Sequence, residues 1–117
     1  MNRQILQQVE EKLKLADYLI NQPTDAYLSG GAHHLLKASH VLLKEILKTD
    51  ILSPQLVAIK LENSSGIEKE FASKYIDLWK ICSEKNPKKQ TLIETYRTIK
   101  EVKEKLKEKY YADFAET

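Results

Sequence analysis

Apolar side chains recur at spacings of three and four along almost all of the 117-residue chain, and an alternating pattern is never sustained. The first spacing fills one face of a helix and the second would fill one face of a strand, so the pattern confines this chain to helices. Punctuation is sparse, with three Gly and three Pro. At 42% apolar and 31% charged residues, the chain has the make-up of long regular elements around a core, not of a disordered or disulfide-stapled protein. Its length is that of one domain, expected over residues 1–117.

Ile5, Leu6, Val9, Leu13, Ala16, Leu19 and Ile20 predict a first helix over about residues 2–20. It ends at Asn21, Gln22, Pro23, Thr24 and Asp25, where the proline restricts Gln22 and short polar side chains compete for the backbone. Thr24 or Asp25 is then the expected cap of a second helix over about residues 25–48. Leu28, Ala32, Leu35, Ser39, Leu42 and Ile46 form its main stripe, and Leu36, Leu43 and Leu47 widen it enough to pack two neighbours. Gly30 and Gly31 cost roughly 1 kcal/mol each inside a helix relative to Ala, so they mark a close crossing, a kink or a later start. Ser53 before Pro54 signals a short helix over 54–61, and Ser65 with Glu68 forms a capping box for a third long helix over 67–83. Leu92, Tyr96, Ile99, Val102, Leu106 and Tyr110 predict a last helix running from about 92 to 112. The expected fold is all-α, an antiparallel up-and-down four-helix bundle with an additional short helix.

Residues 1–15 are too polar for a signal peptide, and no stretch approaches the roughly 20 apolar residues of a membrane span. A soluble, cytoplasmic protein with no membrane contact is expected. The single Cys82 allows no internal disulfide and reads as a structural thiol. A net charge of +2 falls far short of the excess expected of a dedicated duplex binder, and only two of the 19 basic residues, Arg3 and Arg97, are the arginines that bidentate phosphate recognition favours.

His33, His34 and His40 all fall on the second helix at spacings unlike the i,i+4 pairs of helical zinc sites, so no metal is expected, nor any cofactor. His33, Lys37, His40, Lys44 and Lys48 form a ridge beside the apolar stripe. It reads either as a contact strip for an anion or an RNA phosphate, or as a solvated edge. Most of the six tyrosines, Tyr18, Tyr27, Tyr75, Tyr96, Tyr110 and Tyr111, fall at the core or its border, where they either stack on bases or close the core with their hydroxyls in water. Trp79, with Phe71 and Tyr75 on the same helix, is a candidate subunit-interface anchor as well as a core filler. The mixed-sign run from Lys100 to Lys109 reads as a solvated face. No nucleophile, base and acid set emerges, so no catalytic residue is assigned.

Leu15, Ala16, Asp17 and Tyr18, then Tyr27, Leu28 and Ser29 through His34, Leu35, Leu36, Lys37, Ala38 and Ser39, resemble small archaeal proteins of the HEPN-like helical-bundle superfamily. The aromatic-rich stretch from Phe71 to Cys82 looks like their third segment, and Thr91 onward like their closing helix. The resemblance implies an up-and-down bundle, often dimeric, whose relatives include ribonucleases and partners of minimal nucleotidyltransferases in toxin–antitoxin pairs. The nuclease members carry an Arg followed, after four to six residues, by His. After Arg3 the corresponding residues here are Gln8, Val9 and Glu10, and after Arg97 they are Val102, Lys103 and Glu104, so the motif is absent. The expectation is a non-catalytic interaction module, a homodimer or the partner of a nucleotidyltransferase-like protein. The alternative is a ribonuclease or RNA-binding protein that uses the His33, Lys37, His40 and Lys44 ridge.

Overall fold

The computed structural model describes residues 3–47, 53–60, 66–83 and 87–109. Among these residues every regular element is helical. Helix α1 (Arg3–Ile20) buries Leu6, Val9, Leu13, Ala16 and Ile20, the stripe that its spacing predicts. Two side-chain amides add to the bonds of its last turn, where the Asp17 carbonyl still accepts the Asn21 N–H at 3.2 Å. Asn21 Nδ2 donates to the Asp17 carbonyl (2.9 Å) and to Asp17 Oδ1 (2.8 Å), and Gln22 Nε2 donates to the Tyr18 carbonyl (2.9 Å).

A single 3₁₀ turn, Asp25–Tyr27, precedes α2 (Leu28–Leu47), so the second helix starts three residues later than its pattern predicts. Thr24 does not act as a side-chain cap. It is extended, with φ −115° and ψ 155°, and makes no cap hydrogen bond, because the chain enters through the 3₁₀ turn. The two glycines resolve the other half of the expectation. A Cβ on Gly31 would lie 2.8 Å from Ile20 Cγ1 and 3.6 Å from the Ala16 carbonyl oxygen, while one on Gly30 would lie 3.3 Å from Leu19 Cδ1. They mark the close crossing of α2 over α1.

Helix α3 (Pro54–Lys60) opens as predicted, with Ser53 Oγ accepting the Leu56 N–H at 3.1 Å and the Ser53 carbonyl accepting the Val57 N–H at 3.0 Å. Helix α4 (Ile67–Ser83) spans the predicted residues; of its predicted capping box, Ser65 lies outside the described residues. Gly66 precedes it at φ 68°, a left-handed conformation that a residue with a Cβ adopts only under strain. Helix α5 (Lys89–Lys109) starts three residues before the first apolar position of its pattern, since the Lys88 carbonyl already accepts the Leu92 N–H at 3.1 Å. The predicted continuation to 112 lies outside the described residues.

Helix α2 packs against α1, α4 and α5, one neighbour more than its wide apolar arc predicts, and α5 packs in turn against α1 and α4. Helix α3 rests on α4. The core runs through Val9, Leu35, Leu42, Phe71, Leu78 and Ile99, all fully buried. Buried hydroxyls are tied back to their own helices: Ser39 Oγ donates to the Leu35 carbonyl (2.9 Å) and Thr95 Oγ1 to the Thr91 carbonyl (2.8 Å). No helix among the described residues is long and apolar enough to cross a membrane.

Candidate functional site

The ridge predicted on α2 divides in two. His33, Lys37 and Lys44 are exposed, and no carboxylate lies within 4 Å of them among the described residues. His40 departs from the ridge. It turns toward α4, its ring 5.4 Å from Tyr75 in an edge-on arrangement (62°) and 5.9 Å from Trp79. Tyr75 and Trp79 are themselves edge-on, 6.3 Å apart at 86°. The expected strip places His40 beside Lys37 and Lys44, and its ring packs on the aromatic side chains of α4 because the period puts it at the border of the stripe. Lys48, also expected on the ridge, lies outside the described residues.

The three rings form a polar knot in an apolar seam. His40 Nε2, Tyr75 Oη and Trp79 Nε1 are all buried and complete no hydrogen bond of good geometry. Burial pushes the Tyr75 phenol above its ordinary value, and the neighbouring Trp79 N–H offsets part of that rise. Burial, then the Lys44 ammonium, holds the His40 imidazole below its ordinary value. A neutral imidazole offers one ring nitrogen as an acceptor, while the phenol and the indole both donate, so the cluster has the donors and the acceptor for a Trp79, Tyr75, His40 chain. Among the described residues no acid acts on His40 to stabilise an imidazolium, the companion that general acid–base work asks for.

Of the predicted interface residues, Phe71 and Tyr75 are fully buried within the chain and present no surface to a partner. Trp79 alone is half-buried, packed against the core from its edge. The tyrosines scatter: Tyr75 is core, Tyr96 is half-buried, Tyr18 and Tyr27 are 66% and 49% exposed, and Tyr110 and Tyr111 lie outside the described residues. Cys82 is half-buried and its thiol is pushed up by that burial, which makes it a poor nucleophile.

The solvated reading of the lysine-rich last helix fails at Lys103. That side chain is only 9% exposed, with its ammonium 3.6 Å from Glu10 of α1 and 3.1 Å from Glu104. Beside it a groove runs between α1 and α5. Two clefts of about 290 and 340 Å³ adjoin there, sharing Tyr96 and Lys100. A signal for the groove is present in the sequence, since Tyr96, Lys100 and Lys103 recur at four and three residues on one face, but the alternating signs around them mask it. Among the described residues no group of three or more His, Cys, Asp or Glu is placed to hold a metal ion.

Compared with protein-family models, with curated proteins and with solved structures, the chain finds no match in any of the three.

Proposed function

We propose that this chain is a non-catalytic interaction module, an up-and-down antiparallel bundle of α1, α2, α4 and α5 of the HEPN-like kind, working as a homodimer through its α2–α4 face. The observation that carries this is Trp79. A partly buried indole, tilted against His40 and edge-on to Tyr75, is a rigid apolar anchor with little conformational entropy left to lose on binding. The absence of the Arg-to-His spacing in the sequence and the diversion of His40 into the aromatic knot both weigh toward binding rather than turnover.

Sedimentation equilibrium tests it. The wild type is expected to run as a dimer at micromolar concentration, and Trp79→Ala as a folded monomer with helical circular dichroism retained. A wild-type monomer at every concentration would remove the dimer and leave a heterologous partner, such as a nucleotidyltransferase-like protein, as the occupant of the face. A second reading, RNA or anion contact, is favoured by the exposed His33, Lys37 and Lys44, which have no carboxylate partner among the described residues. It predicts salt-sensitive RNA binding that Lys37→Glu abolishes.

A further inference from the structure

We propose that the groove between α1 and α5 is a docking site for an acidic linear peptide segment of a partner protein. The site lies on a different face from the one assigned to dimerisation and does not rest on that assignment.

The charge of the groove is unbalanced once its internal pairs are counted. Its walls carry Glu10 and Asp17 against Lys14, Arg97, Lys100 and Lys103. Glu10 is paired inside the fold, 3.6 Å from the Lys103 ammonium, whereas Asp17 Oδ1 accepts only the neutral Asn21 amide at 2.8 Å and keeps its charge. Lys14, Arg97 and Lys100, by contrast, have no carboxylate within 4 Å among the described residues. Three cations thus line the groove with no carboxylate partner among the described residues, against the one unpaired acid Asp17, while the Lys103 charge is neutralised by Glu10 and Glu104.

Between the cations the wall is apolar. Ile93 and Tyr96 are half-buried beside the charges, with Tyr96 where the two clefts meet, and both lie over the buried Leu13 and Ile20 of α1. This pattern selects among anions. A polyphosphate chain carries one charge at every step and would bring some of them against Glu10 and Asp17. A peptide can place its carboxylates at Lys14, Lys100 and Arg97 and set aliphatic side chains against the apolar positions between. The dimensions agree: from Ile93 to Lys103, α5 rises about 15 Å at ~1.5 Å per residue, a length that about five extended residues cover.

The probe is a fluorescein-labelled peptide of alternating glutamate and leucine, read by fluorescence anisotropy at low salt, with a glutamine-for-glutamate version as control. The wild type is expected to bind the acidic peptide at least about tenfold more tightly than the glutamine version, with binding that weakens as salt is added. Lys100→Glu, an exposed change that leaves the core untouched, is expected to weaken it by about tenfold or more, and Lys69→Glu, exposed on α4, to leave it unchanged. Equal binding of the two peptides, no binding, or no effect of Lys100→Glu in a protein of unchanged circular dichroism overturns the proposal. So does tighter, Lys100-dependent binding of a uridine oligonucleotide, which would make the groove an RNA site. Because Lys100 faces the α1–α5 groove and Trp79 stands on α4, the oligomeric state of each variant, measured alongside, separates failure here from failure of the dimer.

Discussion

His40 carries the clearest consequence of a polar group placed in an apolar seam. Burial and the Lys44 charge lower its folded-state affinity for a proton below the ordinary value near 6.5. The unfolded chain then binds the proton more readily, and stability rises with pH wherever that difference holds. The contribution of His40 is therefore complete above about pH 6.5 and is lost as pH falls below that value toward the lowered folded one. Urea denaturation at pH 7.5 and pH 5 is expected to show a loss of stability on acidification that shrinks in His40→Phe. Part of the loss should survive, because burial and the Lys12 charge also lower the His34 imidazole. Tyr75→Phe gives a second reading of the same knot. Its hydroxyl is buried without a completed partner, so removing it is expected to change stability by less than about 1 kcal/mol or to raise it. Phe71→Ala, four residues earlier and fully buried, is expected to cost about 3–5 kcal/mol. The sequence placed all three aromatic residues on one helix face but could not rank them, since exposure at the edge of a stripe depends on the neighbour that closes over it.

Gly30 and Gly31 look alike in the sequence, and only the crossing of α1 and α2 tells them apart. Helix propensity favours Ala over Gly by about 1 kcal/mol at either position. At Gly31 the new methyl would stand 2.8 Å from Ile20 Cγ1, an atom close to the backbone with little room to withdraw. Gly31→Ala is expected to destabilise by about 1–3 kcal/mol through overpacking. At Gly30 the contact is 3.3 Å from Leu19 Cδ1, the far end of a half-buried side chain that can swing away. Gly30→Ala is accordingly expected to be neutral or to stabilise by up to about 1 kcal/mol, and thermal melts of the two variants should move in opposite directions. The helices themselves were legible because their signals are local: a 3.6-residue period, a Ser53 cap and a Pro54 start. The end of α1 at Ile20 falls where the sequence puts it, and a boundary that slipped is the start of α2, where a 3₁₀ turn intervenes. The groove on α5 stayed hidden because Lys103 is buried only when Glu10 arrives from α1.

Contacts are unequally shared among the helices, and that inequality sets how the molecule opens. Helix α2 touches three long neighbours and buries Leu28, Leu35, Leu36, Leu42 and Leu43, so freeing it exposes the core of the whole domain. Helix α3 has seven residues, rests on α4, and leaves Ile59 68% exposed while Val57 is fully buried. A helix that short is marginal in isolation and holds its shape through the burial of little more than one side chain. Local opening of α3 should then cost much less than global unfolding. In native-state hydrogen exchange, the amides of Leu35, Leu42 and Leu43 are expected to exchange with the free energy of global unfolding. Those of Val57 and Ala58 are expected to exchange at a free energy several kcal/mol lower and insensitive to low urea. Val57→Ala should lower the α3 value further without moving that of α2. If α2 and α3 amides instead exchanged with one common free energy, α3 would belong to the cooperative core, and the contacts of Val57 would count for as much as those of the leucines on α2.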